Sequence, residues 1–498
     1  PLFQAEDGIR DQGDGLVGSE MCIRDRVHGL GIAGDPGWME RPFQRHGNVE
    51  QFDAVNFHGI SLEAGRRDAG FHCIRCGFCS TLISMRLDDI DKALLEGEMG
   101  DAARRAMRLL LRYGEVIGAE RFVSIESAHI DGCLFHGKSG LDFVRSFLQP
   151  GARVRVPATL NVMAVDLVHP EYSEAPDETV EDQRAMAEAY QQLGCTPTLT
   201  CAPYQRLPRP SRGQHIAWAE SNAIVFANAC LGARTDRYGD FTDLCAALTG
   251  RGPRAGLHLE ETRLATLILE VAGPEACGLD RDLYFACLGY ILGEIAGNRV
   301  AAIAGAPLDT SEDELKALGA AAASSGAVAM FHMAGVTPEA RTLEEATAAP
   351  LGRVRREVAG VARFHEVTGR LCRAETGEKV AAFCAGTPHF SLHEFRRLAE
   401  QVKGKSAADG VDVLVSTSRE LAARLQREAW ARHLWDFGVR IVVDTCTYLT
   451  PVALRGEGLV VTNSAKWAHY APGNIGRRAA LMSLERCVRC AEAGGIVP

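Results

Sequence analysis

The last third of the chain repeats one pattern, and this pattern limits the possible folds more than any other feature. Short runs of β-branched and apolar residues begin at Val380, Val411, Val439 and Gly458, and most are followed by a polar loop and an amphipathic helix. Parallel strands need crossover connections, which are usually helices, and strands buried on both faces read as continuous apolar runs. The pattern therefore predicts an α/β fold with a mostly parallel sheet covered by helices.

The loops that leave these runs share a chemistry. They read CAGTPH, STSR, DTCT and TNSAK, and are rich in thiols and hydroxyls. In parallel α/β sheets, ligands bind in the crevice at the carboxyl ends of the strands. Ser and Thr at such places also cap the following helices, but four such loops close together favour a ligand site. Its candidate residues are Cys384, Thr387, His389, Ser416, Ser418, Cys446, Thr447, Ser464 and Lys466.

Helix signals support this reading of the chain. Met107 and Leu110 belong to an apolar stripe at helical spacing in the segment that follows Met85. Ser311 is a good N-cap for a further helix, and Ser391 with Glu394 forms a capping box. These signals predict amphipathic helices along the ordered part of the chain.

Composition excludes several classes of protein. The 498 residues are 46% hydrophobic and 24% charged, as expected of a globular protein with more than one domain. The chain has no apolar run of about 18 residues, so a membrane-spanning helix is not expected. Its net charge of -10 argues against an extended nucleic-acid surface. The 16 cysteines are scattered, which predicts mostly reduced thiols in a cytoplasmic enzyme.

The first 84 residues differ in character from the rest. Residues 1–26 resemble translated sequencing-adaptor read-through and lack the features of a signal peptide. Residues 27–84 show no sustained amphipathic pattern, and regular periodicity begins near Met85. We expect residues 1–84 to be non-native or disordered. Residues 85–375 and 376–498 are expected to form two α/β subdomains.

A local metal motif lies within this first segment. Cys73, Cys76 and Cys79 have the Cys-x2-Cys-x2-Cys spacing used for iron–sulfur clusters. A ligand triad needs a scaffold to hold it, and the surrounding sequence predicts none. We therefore do not expect this triplet to bind the functional metal.

Polar motifs in the middle of the chain are less specific. The segment from His129 to Gly140 (HIDGCLFHGKSG) fits no zinc spacing, but Lys138 and its glycine-rich loop could present donors to an anion. Cys195 and Cys201 flank a Pro-containing loop. Glu220 begins a polar segment that could be a substrate surface or a set of helix caps. Cys487 and Cys490 lie three apart on a predicted helix, where a structural role is favoured over metal binding.

From Met85 to the end, the chain resembles the aconitase X family, in its large, catalytic-subunit form. The resemblance implies an aconitase-like, multi-domain α/β/α core with mostly parallel sheets around a buried iron centre. Members are hydro-lyases; bacterial ones dehydrate cis-3-hydroxy-L-proline to Δ1-pyrroline-2-carboxylate, and archaeal ones dehydrate phosphomevalonate. The matching segments are SAHIDG, ATLNVMAVDL, GCTPTLTCAPY, GQHIAWAESNAIVFANACLGARTDRYGDF, AGTPHFSL, VDTCTYL and TNSAKWAHYAPG.

The resemblance also implies the site residues. Cys201 and Cys446 match iron ligands, whereas Thr387 stands where archaeal members have a cysteine, so Cys384 is a candidate third ligand. The iron centre is then a 2Fe–2S cluster, a mononuclear iron or a 4Fe–4S cluster. Predicted substrate-binding residues are Gly137, Lys138, Ser139, Asn161 and Lys466, of which Ser139 and Lys466 are the candidate catalytic residues.

The resemblance implies one partner. In the family a serine on a small swivel domain removes the substrate proton, and residues 1–84 show no version of that domain. We expect a small subunit to supply it. The preferred function is dehydration of cis-3-hydroxy-L-proline. The alternatives are phosphomevalonate dehydration and, from another class, a non-catalytic iron-binding or redox-sensing protein that uses Cys73, Cys76 and Cys79.

Overall fold

The computed structural model describes residues 85–498. The predictions for residues 1–84, including the adaptor-like segment and the triplet of Cys73, Cys76 and Cys79, lie outside the described residues. No helix within 85–498 is long and apolar enough to cross a membrane.

The first part of the fold contains two small sheets packed among helices. Strands β3, β2 and β4 form a parallel sheet in that order, and β1 pairs with β5 in the antiparallel sense. Its elements are α1 (Asp89–Glu96), α2 (Asp101–Val116), β1 (Phe122–Ser124), β2 (Ala128–Ile130), α3 (Lys138–Ser146), β3 (Ala158–Leu160), α4 (Asp177–Gln192), β4 (Ala217–Trp218), α5 (Ser221–Ala229), α6 (Thr242–Thr249) and β5 (Arg251–Pro253).

The second part is a four-stranded parallel sheet, ordered β8-β7-β6-β9. Two buried helices, α8 and α9, pack so closely that a Cβ on Gly289 would lie 2.1 Å from the Leu318 carbonyl oxygen. Its elements are β6 (Leu267–Val271), α7 (Pro274–Cys277), α8 (Arg281–Ala296), β7 (Ala301–Ala304), α9 (Glu312–Ser325), β8 (Phe331–Met333), α10 (Leu343–Ala346), β9 (Arg355–Ala359) and α11 (Val361–Leu371).

The third part is the parallel sheet that the repeated pattern predicts, ordered β12-β11-β10-β13-β14. Successive side chains of β10 enter different apolar clusters on its two faces, Phe383 into one and Cys384 into the other. Its elements are β10 (Val380–Ala385), α12 (Leu392–Val402), β11 (Asp412–Ser416), α13 (Arg419–Leu425), α14 (Arg432–Phe437), β12 (Val439–Val442), β13 (Leu459–Thr462), α15 (Ala465–Asn474), β14 (Ala479–Leu481) and α16 (Leu484–Ala493). Short 3₁₀ turns lie at Pro170–Tyr172, Pro203–Gln205, Gly256–His258, Glu261–Arg263, Leu351–Arg353 and Ala429–Ala431.

The predicted fold class is confirmed, since most strand pairs are parallel and helices cover the sheets. Met107 and Leu110 are buried on α2, as their spacing predicts. The capping boxes at Ser311 and Ser391 are both formed. The predicted boundary between residues 375 and 376 falls between α11 and β10, and the division into two subdomains stays a prediction.

Candidate active site

The carboxyl ends of two parallel sheets meet at one small pocket. From the first sheet, Asp131 follows β2, Asn161 follows β3 and Glu220 follows β4; from the five-stranded sheet, Cys446 and Lys466 come from the segments after β12 and β13. Ligands bind at this end of parallel strands. The pocket is lined by Asp131, Leu134, Asn161, Val162, Cys201, Glu220, Ser221, Cys446, Tyr448, Leu449, Lys466 and Tyr470.

Two cysteines and one histidine form a buried group beside this pocket. Within residues 85–498, Cys201, His389 and Cys446 are the one set of three thiol, imidazole or carboxylate ligands whose donor atoms all lie within 4.8 Å of one another. The two sulfur atoms are 3.8 Å apart. The His389 ring is oriented by Thr200 Oγ1, 2.9 Å from Nδ1, and by the Thr445 carbonyl, 3.2 Å from Nε2.

The two thiols of this group have pKa values that are shifted in opposite directions. The hydrogen bond with the Cys201 thiol outweighs burial and, with His389 nearby, lowers the pKa of Cys446 to about 5. Burial and the adjacent Cys446 sulfur raise the pKa of Cys201 well above its ordinary value. These shifts favour the thiolate form of Cys446, and thiolate is the form that binds metals.

Unusual backbone conformations present these ligands. Leu199 (φ 45°) and Asp444 (φ 65°) adopt the left-handed conformation, which is uncommon for residues other than glycine, and each lies two residues before a cysteine of the group. In the loop that carries His389, Gly386 has φ 85°, and a Cβ there would lie 2.1 Å from the Ser416 carbonyl oxygen. Such conformations persist only where the surrounding structure holds them, and they cluster at functional sites.

Among residues 85–498, Lys466 is the single lysine or arginine that lines the pocket. Its Nζ lies 2.7 Å from Glu220 Oε1, and both side chains are almost fully buried. Although burial disfavours the ammonium, the Glu220 carboxylate holds the pKa of Lys466 well above its ordinary value. Glu220 is fixed in turn because it caps α5, where its carboxylate accepts the Ala223 N–H at 2.8 Å. A positively charged donor is thus held at the pocket.

Asn161 provides a neutral polar group in the same place. Its side-chain amide donates a short hydrogen bond to Asp131 Oδ1, while its own Oδ1 is buried beside the His129 ring and makes no hydrogen bond of normal geometry within the described chain. Buried polar atoms are normally paired, so an unpaired acceptor beside a pocket suits a ligand that carries an N–H or O–H group.

The structure brings together only some of the predicted site residues. Cys201, Cys446, Asn161 and Lys466 all line the pocket. Gly137, Lys138 and Ser139 do not: Lys138 and Ser139 begin α3, and Lys138 is exposed and pairs with Glu178 at 2.7 Å.

Cys384 does not belong to the Cys201–His389–Cys446 group. It lies within β10, before the loop that carries His389, and its side chain packs in the apolar layer beneath the site. Burial raises the pKa of its thiol to about 12, against a hydrogen bond with Thr447, so the thiol stays protonated. The geometry supports His389, and not Cys384, as the third member of the ligand set.

The sequence patterns identified some of the pocket residues but did not predict their roles. His389 was among the candidate residues at the strand ends, but only its position in the GTPH loop indicated that it could lie near the cysteines. Asp131 and Glu220 follow strands too short to show an alternating pattern, and Tyr448 had no signal of its own. Cys487 and Cys490 are buried on α16, in agreement with the structural role predicted for them.

Comparisons with known proteins agree with this architecture. Residues 84–261, 265–366 and 380–493 match the family models of the aconitase X first, second and third domains. The chain superposes on the crystal structure of Thermococcus kodakaraensis aconitase X (holo-form) with a TM-score of 0.72 and 31% identity, covering 82% of this chain and 100% of that one.

Curated relatives of two kinds are similar in sequence. The cis-3-hydroxy-L-proline dehydratase of Pseudomonas aeruginosa is 42% identical over 82% of this chain and 70% of its own length. That of Hypocrea jecorina is 40% identical over 82% of this chain and 69% of its own length. The phosphomevalonate dehydratase large subunit of Methanothermobacter thermautotrophicus is 37% identical over 78% of this chain and 94% of its own length.

Proposed function

Because this chain belongs to the aconitase X family, we propose that it is a hydro-lyase that removes water from cis-3-hydroxy-L-proline to give Δ1-pyrroline-2-carboxylate. The observation that carries the proposal is the pocket itself, where one buried lysine, one unpaired amide oxygen and a buried thiol–imidazole group meet. A small amino acid with a carboxylate, a ring N–H and a hydroxyl complements these groups.

The charge of the pocket favours this substrate over phosphomevalonate. A phosphate is bound best by several cationic or N–H donors, most often including arginine. In the part of the chain that the structure describes, the lining has Lys466 as its one cationic side chain, and Asp131 and Glu220 add acidic groups. The higher identity to the two hydroxyproline dehydratases points the same way.

The residues of the chain have separable tasks in this reaction. The Lys466 ammonium binds the substrate carboxylate and stabilises the negative charge that develops when the neighbouring carbon loses its proton. Asn161 Oδ1 accepts the ring N–H and so orients the ring. The near-complete burial of Lys466 and Glu220 strengthens these interactions, because electrostatic attraction is larger where water is excluded.

The Cys201–His389–Cys446 group suits an iron centre. Thiolate and imidazole are ligands that bind iron, the three donors are buried together, and three protein ligands leave a coordination position open. When bound, iron would supply a Lewis acid for the departing oxygen. A mononuclear iron, a 2Fe–2S cluster and a 4Fe–4S cluster are the candidate forms of the centre.

Iron content tests the ligand set. We expect Cys446→Ser and His389→Ala to lose most of the iron that the wild-type chain binds under anaerobic conditions. Cys384→Ser is the matched control, since it is a neighbouring buried thiol outside the group, and it should keep its iron. Iron retained by Cys446→Ser and lost by Cys384→Ser would reverse the assignment, and Mössbauer spectra of the wild type would identify the type of centre.

A small partner subunit is part of the proposal. The chain matches nearly the whole of a protein named as a large subunit, but only about 70% of the hydroxyproline dehydratases. We propose that a swivel domain supplies the base that removes the substrate proton, and that a small subunit carries it.

The decisive assay compares substrates side by side. The iron-loaded chain is incubated with cis-3-hydroxy-L-proline or phosphomevalonate, with and without a small aconitase X subunit. We expect turnover of hydroxyproline only when the subunit is present. Preference for phosphomevalonate would show that the proposed substrate is wrong. Full activity without the small subunit would show that the proposed partner is not needed. No turnover of either substrate would contradict the proposed function.

A further inference from the structure

A carboxyl group outside the predicted catalytic set lies in the pocket. Asp131 directly follows β2 and lines the same cavity as Cys201, Cys446 and Lys466. Its backbone is firmly anchored, because the N–H groups of Asp131 and Gly132 both donate to Asp243 Oδ2, at 2.7 and 3.1 Å. The side chain is therefore held at the edge of the space that a substrate would occupy.

The hydrogen bonds of the Asp131 carboxyl leave one of its two oxygens available for a substrate. The Asn161 amide donates to Oδ1, which fixes the plane of the carboxyl and engages one of its two oxygens. The residue is only partly shielded from solvent, although protein surrounds it on most sides, because the carboxyl borders the cavity.

The surroundings of Asp131 keep its proton in place at neutral pH. Burial, followed by the negative charges of Asp240 and Glu220, raises the pKa of Asp131 to about 8, against the opposing effects of Asn161 and Lys466. Asp243, which holds the Asp131 backbone, is a further acidic neighbour, and burial raises its own pKa to about 7. A carboxylic acid that is protonated near pH 7 can act as a general acid.

We propose that Asp131 is a further catalytic residue, which donates its carboxyl proton to the hydroxyl oxygen that leaves C3 of the substrate. The inference rests on the function proposed above. As the carbon next to the carboxylate loses its proton to the base, the electron pair forms the new C–C double bond and the C–O bond breaks. The departing oxygen takes the Asp131 proton and leaves as water. The resulting enamine then tautomerises, with loss of the N–H proton and protonation of C3, to give Δ1-pyrroline-2-carboxylate. The base then releases its proton and Asp131 regains one from solvent, so protons balance over the cycle.

Two substrates separate this role from a structural one. Hydroxide needs a proton to leave, whereas fluoride is a much better leaving group, so cis-3-fluoro-L-proline should eliminate fluoride without a proton donor. In Asp131→Asn, which preserves the shape and the Asn161 contact, we expect kcat for dehydration to fall by about 10²–10⁴-fold. Fluoride elimination should stay within about tenfold of wild type, a much smaller loss.

Asp412→Asn is the matched control. This carboxyl is also buried and hydrogen-bonded, since it accepts from Arg440 and Arg455, but it does not line the pocket. The substitution should lower thermal stability and leave the ratio of dehydration to fluoride elimination unchanged.

A wild-type measurement decides the question even if Asp131→Asn fails to fold. As pH rises through about 8, Asp131 loses its proton, so kcat for dehydration should fall while fluoride elimination does not. Equal loss of both reactions in Asp131→Asn, or parallel pH profiles in the wild type, would overturn the proposal while the proposed function stands. A wild-type enzyme that dehydrates no substrate would remove both.

Discussion

Lys466 and Lys316 are both buried, but they lie in different surroundings. Lys466 borders the pocket and contacts Glu220 at 2.7 Å and the Ser221 hydroxyl at 3.5 Å. Lys316, on α9, lies where the second and third parts of the fold meet, and it donates all three of its N–H groups to protein groups. These are the Glu394 carboxylate, Asp313 at 3.4 Å and the His389 carbonyl at 3.3 Å.

The difference teaches where a buried charge serves chemistry and where it serves architecture. An ammonium has three donors, and one whose donors are all used by protein groups has none for a ligand. Lys316 links α9 to the segment before α12 and supports the backbone of His389, whereas Lys466 can meet a substrate. Burial alone therefore does not identify a catalytic lysine. The distinguishing property is an N–H donor that faces a pocket and is not used by protein groups.

Removing the architectural lysine should have the largest effect on stability. In Lys316→Met, Glu394 and Asp313 would lie buried near each other without their cation, so we expect a loss of about 3–5 kcal/mol in the free energy of unfolding. Denaturant unfolding of residues 85–498 measures it. Lys92→Met is the control, because Lys92 is an exposed lysine paired with Asp89, and it should cost less than about 1 kcal/mol. Equal losses would contradict the contrast.

Removing the pocket lysine should cost less stability. In Lys466→Met, the Glu220 carboxylate still accepts hydrogen bonds from the Ala223 N–H and the Asn222 side-chain amide, so it keeps partners without the lysine. We expect a loss of about 1–3 kcal/mol, as for one hydrogen bond to a charged group. The same unfolding experiment measures it, and adding Glu220→Gln should recover part of the loss. A larger loss than in Lys316→Met would show that the pocket pair is mainly structural.

Acid unfolding sharpens the comparison with a buried group that is uncharged in the folded protein. His258 lies between His215 and Tyr238, each 2.9 Å away, and burial is the main cause that lowers its pKa to about 3. An unfolded histidine has a pKa of about 6.5, so the unfolded chain binds the extra proton between these values. Stability therefore falls as pH decreases from about 6.5 towards about 3, by about 1.4 kcal/mol per pH unit for this group.

The measurement is the pH dependence of the unfolding free energy in His258→Gln. Its slope between about pH 6 and pH 4 should be smaller than in the wild type by the amount given above. A wild-type slope in His258→Gln would mean that other groups govern acid unfolding.

The sequence predicted the local parts of this structure and missed the parts that depend on long-range contact. Capping at Ser391 and the strand beginning at Val380 follow from neighbouring residues, and both are confirmed. Glu220 and Lys466 are 246 residues apart and form one ion pair, which no local pattern encodes.

The third member of the thiol–imidazole group shows the same limit. Cys384 was favoured because it is a thiol at a strand end, but its position inside β10 packs it into the layer below the site. The loop that follows extends beyond the sheet and places His389 in the group instead. Its backbone path requires a glycine at position 386. Residue type suggested the ligand, while the path of the loop decided which side chain reaches the group.

The most direct test of this account is turnover of cis-3-hydroxy-L-proline per bound iron in Lys466→Met and Lys316→Met, measured with the small subunit at a temperature where both variants are folded. We predict that Lys466→Met loses about 10²–10³-fold in kcat, as expected when one preorganised charge-stabilising donor is removed. Lys316→Met, once folded and iron-loaded, should stay within about tenfold of wild type, because the ion pairs of Lys316 are the same in the ground state and in the transition state. Wild-type turnover in Lys466→Met, or equal losses in the two variants, would contradict the claim that the pocket around Lys466 carries out the reaction.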